Sequence, residues 1–287
     1  MMRYKPLRLS PETVFYGSKT ILVRYHGMAN ELQETPASLQ AFNQASKTIY
    51  LKYYGLLEKR RWSMDEDIAW DQITSQPEDQ DLLEMLYTAS LIETYTFTTT
   101  PNFLRRYRHL PWIIALQMAR GYEECKHGNA LWRYLEGQGF PVNEQEISEI
   151  QEVDDSFESM DLFARNVLSW LSEIETTVFY RKASEQISDP VGKHLLALIS
   201  QDERVHGSFL YETILAQIQA DGPQRLAQLQ QLLADYQNPE QESHYGAAVG
   251  AENFGRIRAW ANTVGANQEI SDFVSQRVRQ LMQAVQS

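Results

Sequence analysis

The stretches EECKHG at 123–128 and DERVHG at 202–207 each place a glutamate three residues before a histidine and close on glycine, in a chain that owns six histidines. In a helix, residues i and i+3 share a face. Glu124 with His127, and Glu203 with His206, therefore each present two metal-capable groups in one direction. Ile113, Leu116, Arg120, Glu124, His127, Leu131 and Tyr134 follow three- and four-residue steps, and so do Leu196, Ile199, Glu203, His206 and Leu210. Both pairs thus fall on the stripe that should face a core, where an unpaired charge is costly. Any fold available to this chain must give those charges partners.

Apolar residues recur at helical spacing between sparse prolines and glycines, and no run of strands is visible, so the chain is expected to be all-α. Long helices are predicted at about 36–60, 78–107, 111–136, 157–187 and 191–220, with shorter ones at about 223–236, 250–263 and 267–285. Pro111 and Pro190 each sit near a first-turn position, where the missing N–H is harmless. EGQGFP at 136–141 closes the third helix, and the polar, acidic stretch to about 156 is long enough to cross between two helix pairs. We expect a single domain over 1–287, with its core at about 36–220 and flanking helices at about 223–286.

Partners for the buried charges are sought on the two preceding helices. Leu82, Leu86, Ala89, Glu93 and Phe97 form one stripe, and Leu168, Leu171, Glu175 and Val178 another. Glu93 precedes Glu124 by 31 residues and Glu175 precedes Glu203 by 28, offsets that a helical hairpin with a short turn produces. Four antiparallel helices would then converge Glu93, Glu124, His127, Glu175, Glu203 and His206 on one point. That set, one glutamate from each of two helices and Glu-x-x-His from each of the other two, is what a dinuclear iron centre in a four-helix bundle requires, with manganese as a possible substitute.

Composition removes competing classes. A single cysteine, Cys125, excludes an intramolecular disulfide framework and multi-cysteine metal sites. Cys125 lies two residues before His127 and should face away from the metals. A formal net charge of −12 argues against nucleic-acid binding. The longest apolar runs fall short of a membrane span, and MMRYKPLRLSPETVFYG has no apolar core followed by a cleavage site, so a soluble, cytoplasmic protein is expected. His26, His109, His194 and His244 have no partner at metal spacing.

EECKHGNALWRYLEGQG resembles the Glu-Glu-x-x-His-Gly-x-x-Leu-x-x-Tyr-Leu stretch of the soluble acyl-carrier-protein desaturases, and DERVHG resembles their Asp-Glu-x-x-His element. The similarity of layout runs from about residue 55 to 220. It implies a ferritin-like bundle with two irons, a ferredoxin-like electron donor and a carrier-bound acyl substrate. It further implies that Asp202 orients a metal-bound histidine, His127 in the first place, and that Trp62, in RRWSMDEDIAWD, helps pass electrons. Two departures stand out. The run after Glu93 is ETYTFTTTPN where the family has a Leu-Pro-x-Tyr turn, and a threonine expected three residues after the third glutamate is Val178 when counted from Glu175.

The leading expectation is therefore desaturation of a carrier-bound acyl chain. Hydroxylation or other oxidation of a different small molecule is the first alternative, and a non-catalytic ferroxidase the second. Lys59, Arg60 and Arg61, with Arg105, Arg106 and Arg108, would form the docking surface for an acyl carrier protein. Long helices of this kind also favour a homodimer.

Overall fold

The structure is a computed structural model and describes residues 36–74, 78–236 and 251–286. Its elements are α1 (Pro36–Arg60), a short 3-10 turn (Trp70–Gln72), α2 (Gln80–Thr94), α3 (Thr96–Arg106), α4 (Pro111–Gly137), α5 (Glu144–Gln151), α6 (Leu162–Gln186), α7 (Pro190–Asp221), α8 (Pro223–Tyr236), α9 (Ala251–Thr263) and α10 (Ala266–Gln286). The described residues contain no strand.

Two hairpins make the centre. Helix α2 packs on α4, α6 packs on α7, and α4 meets α7 across the middle. Around this four-helix core, α1 covers α4 and α7, α3 lies on α4, α8 on α6 and α7, α9 on α2, and α10 on α6 and α7. The expected bundle with flanking helices is what the chain forms.

Local chemistry sets the boundaries. Pro111 opens α4 and Pro190 opens α7, and Asp189 caps the latter by accepting from the Gly192 N–H at 2.8 Å. Asp161 caps α6 through the Ala164 N–H, which starts that helix at Leu162 rather than at 157. Two expectations need correcting. The helix expected over 78–107 is broken at Tyr95 into α2 and α3. The buried Tyr95 hydroxyl donates to Asp154 O at 2.6 Å and accepts from Ser156 N–H at 2.8 Å, pinning the break to the crossover. The threonine-rich run beyond it, with Pro101 inside α3, has little propensity to continue α2 unbroken. The crossover itself carries a short helix, α5, capped by Asn143.

The core falls into two large clusters that flank the level of the twin motifs. One gathers Phe103, Leu116, Phe163, Trp170, Leu171 and Ile214; the other gathers Leu86, Leu131, Tyr134, Tyr180, Leu195 and Ile199.

Candidate metal centre

The motif-closing glycines explain how the four helices approach. A Cβ built on Gly128 would lie 3.4 Å from Glu93 Cβ on α2, and one on Gly207 would lie 3.4 Å from Glu173 Cβ on α6. Each glycine is the seat against which the opposite helix of its hairpin rests the Cβ of a glutamate. The two halves of the chain thus repeat one arrangement, with Glu173 in the role that Glu93 has in the first half.

Glu93, Glu124, His127 and Glu203 bring ligating atoms within 4.8 Å of one another, and so do Glu124, Glu173, Glu203 and His206. All six side chains are buried. The structure therefore brings together five of the six residues expected from the sequence, and not Glu175. That residue, two positions on from Glu173, is turned some 200° around α6. It is half-buried and accepts from the Tyr236 hydroxyl of α8. Burial pushes its carboxyl pKa up. The physical reason the spacing pointed to Glu175 lies in α6 itself. Leu162, Phe163, Val167, Trp170, Leu171, Ile174 and Val178 are buried on several faces, because α7, α8 and α10 all pack on this helix, so no single apolar stripe marks its inner side. With Glu173 in place, the offset to Glu203 becomes 30, beside 31 in the first hairpin. The threonine three residues on is then Thr176, and it donates to Glu203 Oε2 at 3.2 Å.

Each histidine is held by a carboxylate from the other motif. His127 Nε2 lies 3.1 Å from Asp202 Oδ2, and His206 Nε2 lies 2.7 Å from Glu123 Oε2. Asp202 immediately precedes Glu203 and Glu123 immediately precedes Glu124, so the pairing is reciprocal. An Nε2–H committed in this way leaves Nδ1 as a lone pair pointing inward. Both Nδ1 atoms, with Glu173 Oε2 and Glu203 Oε1, are buried without a hydrogen bond of good geometry, although His127 Nδ1 lies 3.0 Å from Glu203 Oε1 and His206 Nδ1 3.4 Å from Glu173 Oε2. Buried polar atoms of this kind call for a partner, and aligned imidazole lone pairs among carboxylates are what a first-row metal ion accepts. The residues fit two such ions. Glu123 was not singled out in the sequence, although its place in EECKHG matches that of Asp202 in DERVHG.

The electrostatics show the same demand. Burial, then the charges of Glu124 and Glu203, raises the Glu93 pKa to about 8, and burial with the Glu124 and Glu173 charges raises Glu203 to about 7. Burial also acts on Glu124, but Arg120 and the two imidazoles outweigh it and hold that carboxyl well below the usual range. Burial disfavours imidazolium at His127 and His206, yet the surrounding carboxylates overcome it and raise both well above the ordinary value. Glu93 and Glu203, buried against other carboxylates, therefore hold their protons more tightly than a free carboxyl does.

Other expected residues fall around this centre. Trp62 is buried, donates from Nε1 to Asp202 Oδ2 at 2.7 Å, and stacks parallel to His127 with ring centroids 6.4 Å apart. Lys126 lies over the Trp62 ring at 4.0 Å and 3.5 Å from Asp202. Cys125 is half-buried, and burial pushes its thiol up to about 11. His109 and His194 are exposed, while His26 and His244 lie outside the described residues. Lys59, Arg61, Arg105, Arg106 and Arg108 are exposed and Arg60 is half-buried. Arg61 lies over Tyr122 of α4, whereas Arg105, Arg106 and Arg108 precede Pro111 at its start. The two basic groups are thus about 16 Å apart along α4.

A hollow of about 220 Å³ reaches Glu173 from outside, between α1, α6, α7 and α10. Trp170, Ile174 and Phe273 supply apolar wall, Arg204 and Arg277 positive charge, and Glu173 and Glu212 negative charge. Among the described residues, no helix is long and apolar enough to cross a membrane.

No protein-family model matches this sequence, and no curated protein matches it. The fold does match a solved structure, the X-ray structure of "putative acyl-ACP desaturase DesA2 from Mycobacterium tuberculosis H37Rv". The likeness covers 84% of this chain and 99% of that one, with a TM-score of 0.54 and 14% sequence identity. At that identity the comparison shows the helical fold.

Proposed function

We propose that this chain is a dinuclear metal oxidase that uses dioxygen and external electrons to remove hydrogen from an unactivated C–H bond, with a carrier-bound acyl chain as its first candidate substrate. The observation that carries this reading is the convergence of Glu93, Glu124, Glu173, Glu203 and two inward-facing imidazole Nδ1 atoms in a buried centre. The fold likeness to a protein described as an acyl-carrier-protein desaturase, and the wording around both motifs, support the substrate class. When bound, two iron ions, or manganese in their place, supply the electrons that reduce dioxygen and the oxidising power that C–H cleavage needs.

The chain's own residues supply the rest. Glu93, Glu124 and His127 would hold one ion and Glu173, Glu203 and His206 the other, with Glu124 and Glu203 within reach of both. Asp202 and Glu123 keep each imidazole in the tautomer that presents Nδ1. Trp62, bonded to Asp202 and stacked on His127, offers electrons a route inward from a ferredoxin-like donor. Leu86, Leu131, Leu171 and Ile199 keep bulk water from the centre. Desaturation consumes one dioxygen, two electrons and two protons per alkene and releases two waters; hydroxylation with the same inputs releases one water and leaves the other oxygen on carbon.

The hollow beside Glu173 favours a second reading, oxidation of a small organic acid. Its volume of about 220 Å³ lies below the usual range of ligand pockets, and Arg204 and Arg277, set against Glu173 and Glu212 in the same wall, would hold a carboxylate. Substrate-dependent oxygen uptake separates the readings. Iron-loaded protein with a reduced ferredoxin would be given acyl carrier protein bearing a saturated chain, or free small acids, and products would be weighed. Loss of two hydrogens from the carrier-bound chain supports the first reading, and gain of oxygen by a free acid the second. Oxygen uptake that depends on ferrous iron alone would sink both and leave a ferroxidase. Docking of the carrier on either basic group, and a homodimer, belong to the same proposal and are checked by co-sedimentation.

A further inference from the structure

The two metal half-sites share Glu124 and Glu203 and differ in the rest: Glu93 and His127 on one side, Glu173 and His206 on the other. Their immediate neighbours differ in charge. Arg120, one turn before Glu124 on α4, reaches across to α6, with Nη2 2.5 Å and Nε 2.7 Å from Glu173 Oε1. Its Nε is also 2.9 Å from Glu124 Oε1. The matching neighbour of Glu93 is a neutral group, the buried Tyr180 hydroxyl, which donates to Glu93 Oε1.

Resting on the metal-centre reading, we propose that Arg120 makes the two halves unequal, so that a divalent ion fills the His127 half first and the His206 half only at higher concentration. An ion entering beside His206 must take Glu173 from the guanidinium or sit next to a fixed positive charge. An ion entering beside His127 meets the Tyr180 phenol and Glu124 Oε2, because the guanidinium takes Glu124 Oε1, the oxygen nearer His206. The Arg120 side chain is 13% exposed, so solvent screens this repulsion poorly. Lys126 stands on the His127 side, but its charge faces Asp202 and the Trp62 ring rather than a ligand oxygen. Glu123, on the His206 side, answers Asp202, and each of these carboxylates is committed to an imidazole. The direct contacts of Arg120 therefore set the difference. A protein built this way passes through a one-metal form on loading.

The test is a manganese(II) titration of chelator-treated full-length protein, followed by calorimetry and by electron paramagnetic resonance, which separates an isolated ion from a coupled pair. Wild type is expected to bind in two unequal steps, the coupled signal arriving with the second. Arg120→Gln should tighten the second step by about tenfold or more while changing the first less. Arg120→Lys, which keeps the charge, should preserve the inequality. Glu173→Gln should retain the tight first step, and Glu93→Gln should lose it. Equal steps in wild type, an unchanged ratio in Arg120→Gln, or loss of the first step in Glu173→Gln instead of Glu93→Gln would overturn the proposal while leaving the metal centre standing. Should Arg120→Gln not fold, the lysine variant and the two glutamate variants decide. Wild type that takes up no manganese or iron would remove the metal-centre reading itself.

Discussion

The twin glycines look equivalent in sequence and are not equivalent in packing. A Cβ on Gly128 would lie 2.8 Å from Thr94 Cγ2, a distance that real contacts do not show, besides 3.4 Å from Glu93 Cβ and from Ser90 O. Thr94 is fully buried and β-branched, and its hydroxyl donates to Leu91 O at 2.9 Å, so the methyl has no easy way to swing aside. On Gly207 the same atom would meet only Glu173 Cβ, at an ordinary 3.4 Å. Overpacking a tight core costs about 1–3 kcal/mol, whereas exchanging a mid-helix glycine for alanine gains about 0.5–1 kcal/mol from propensity. Gly128→Ala should therefore lose about 1–2 kcal/mol net, and Gly207→Ala should gain about 0.5–1. At roughly 2–4 °C per kcal/mol for a chain of this size, thermal unfolding followed by circular dichroism should show Tm lower by about 2–8 °C in the first and higher by about 1–4 °C in the second. Since the displaced helix carries Glu93, the first variant should also bind metal more weakly. Equal Tm shifts in the two variants would refute the claim that Gly128 is a contact point between α2 and α4.

Metal-free protein should lose stability as pH rises from about 5 to 8. Glu93 near 8 and Glu203 near 7 have folded values above their unfolded ones, as do both histidines, so the folded chain holds protons that the unfolded chain releases. Glu124, held low, has the opposite sign and matters only in acid, where its contribution is lost as pH falls. Bound metal should reverse the slope above pH 6 by displacing those protons; a metal-free Tm that rises steadily over that range would contradict the assignment. Asp202→Asn and Glu123→Gln should each weaken metal affinity about 10- to 100-fold, measured by competition with a chromophoric chelator. An effect in Asp202→Asn alone would argue against the reciprocal arrangement.

How much of this was legible follows from the packing of each helix. The inner stripe of α4, through Leu116, Glu124, His127 and Leu131, can be read from spacing because apolar and charged ligand residues alternate there with exposed Met118, Tyr122 and Asn129. Helix α7 is legible for the same reason: Glu203 and His206 are buried while Gln201 and Arg204 are exposed. Helix α6 has no such contrast, being covered on several sides, and there the spacing favoured Glu175 over Glu173. The near-identical offsets of 31 and 30, and the seating of each motif glycine on a glutamate, carry the information that periodicity lacked. Arg120 was visible on the α4 stripe, but its reach to Glu173 depends on how α4 and α6 face each other, which no local pattern encodes. The bend at Tyr95 is likewise a tertiary event, set by hydrogen bonds to a crossover about sixty residues away.

The central claim is that Glu93, Glu124, His127, Glu173, Glu203 and His206 hold two metal ions. Iron per chain, counted after anaerobic loading with ferrous iron and desalting, tests it most directly in wild type, Glu173→Gln and Glu175→Gln. Two irons in wild type and in Glu175→Gln, with fewer than two in Glu173→Gln, is the expected result. Two irons in Glu173→Gln with loss in Glu175→Gln, or none in wild type, would contradict it.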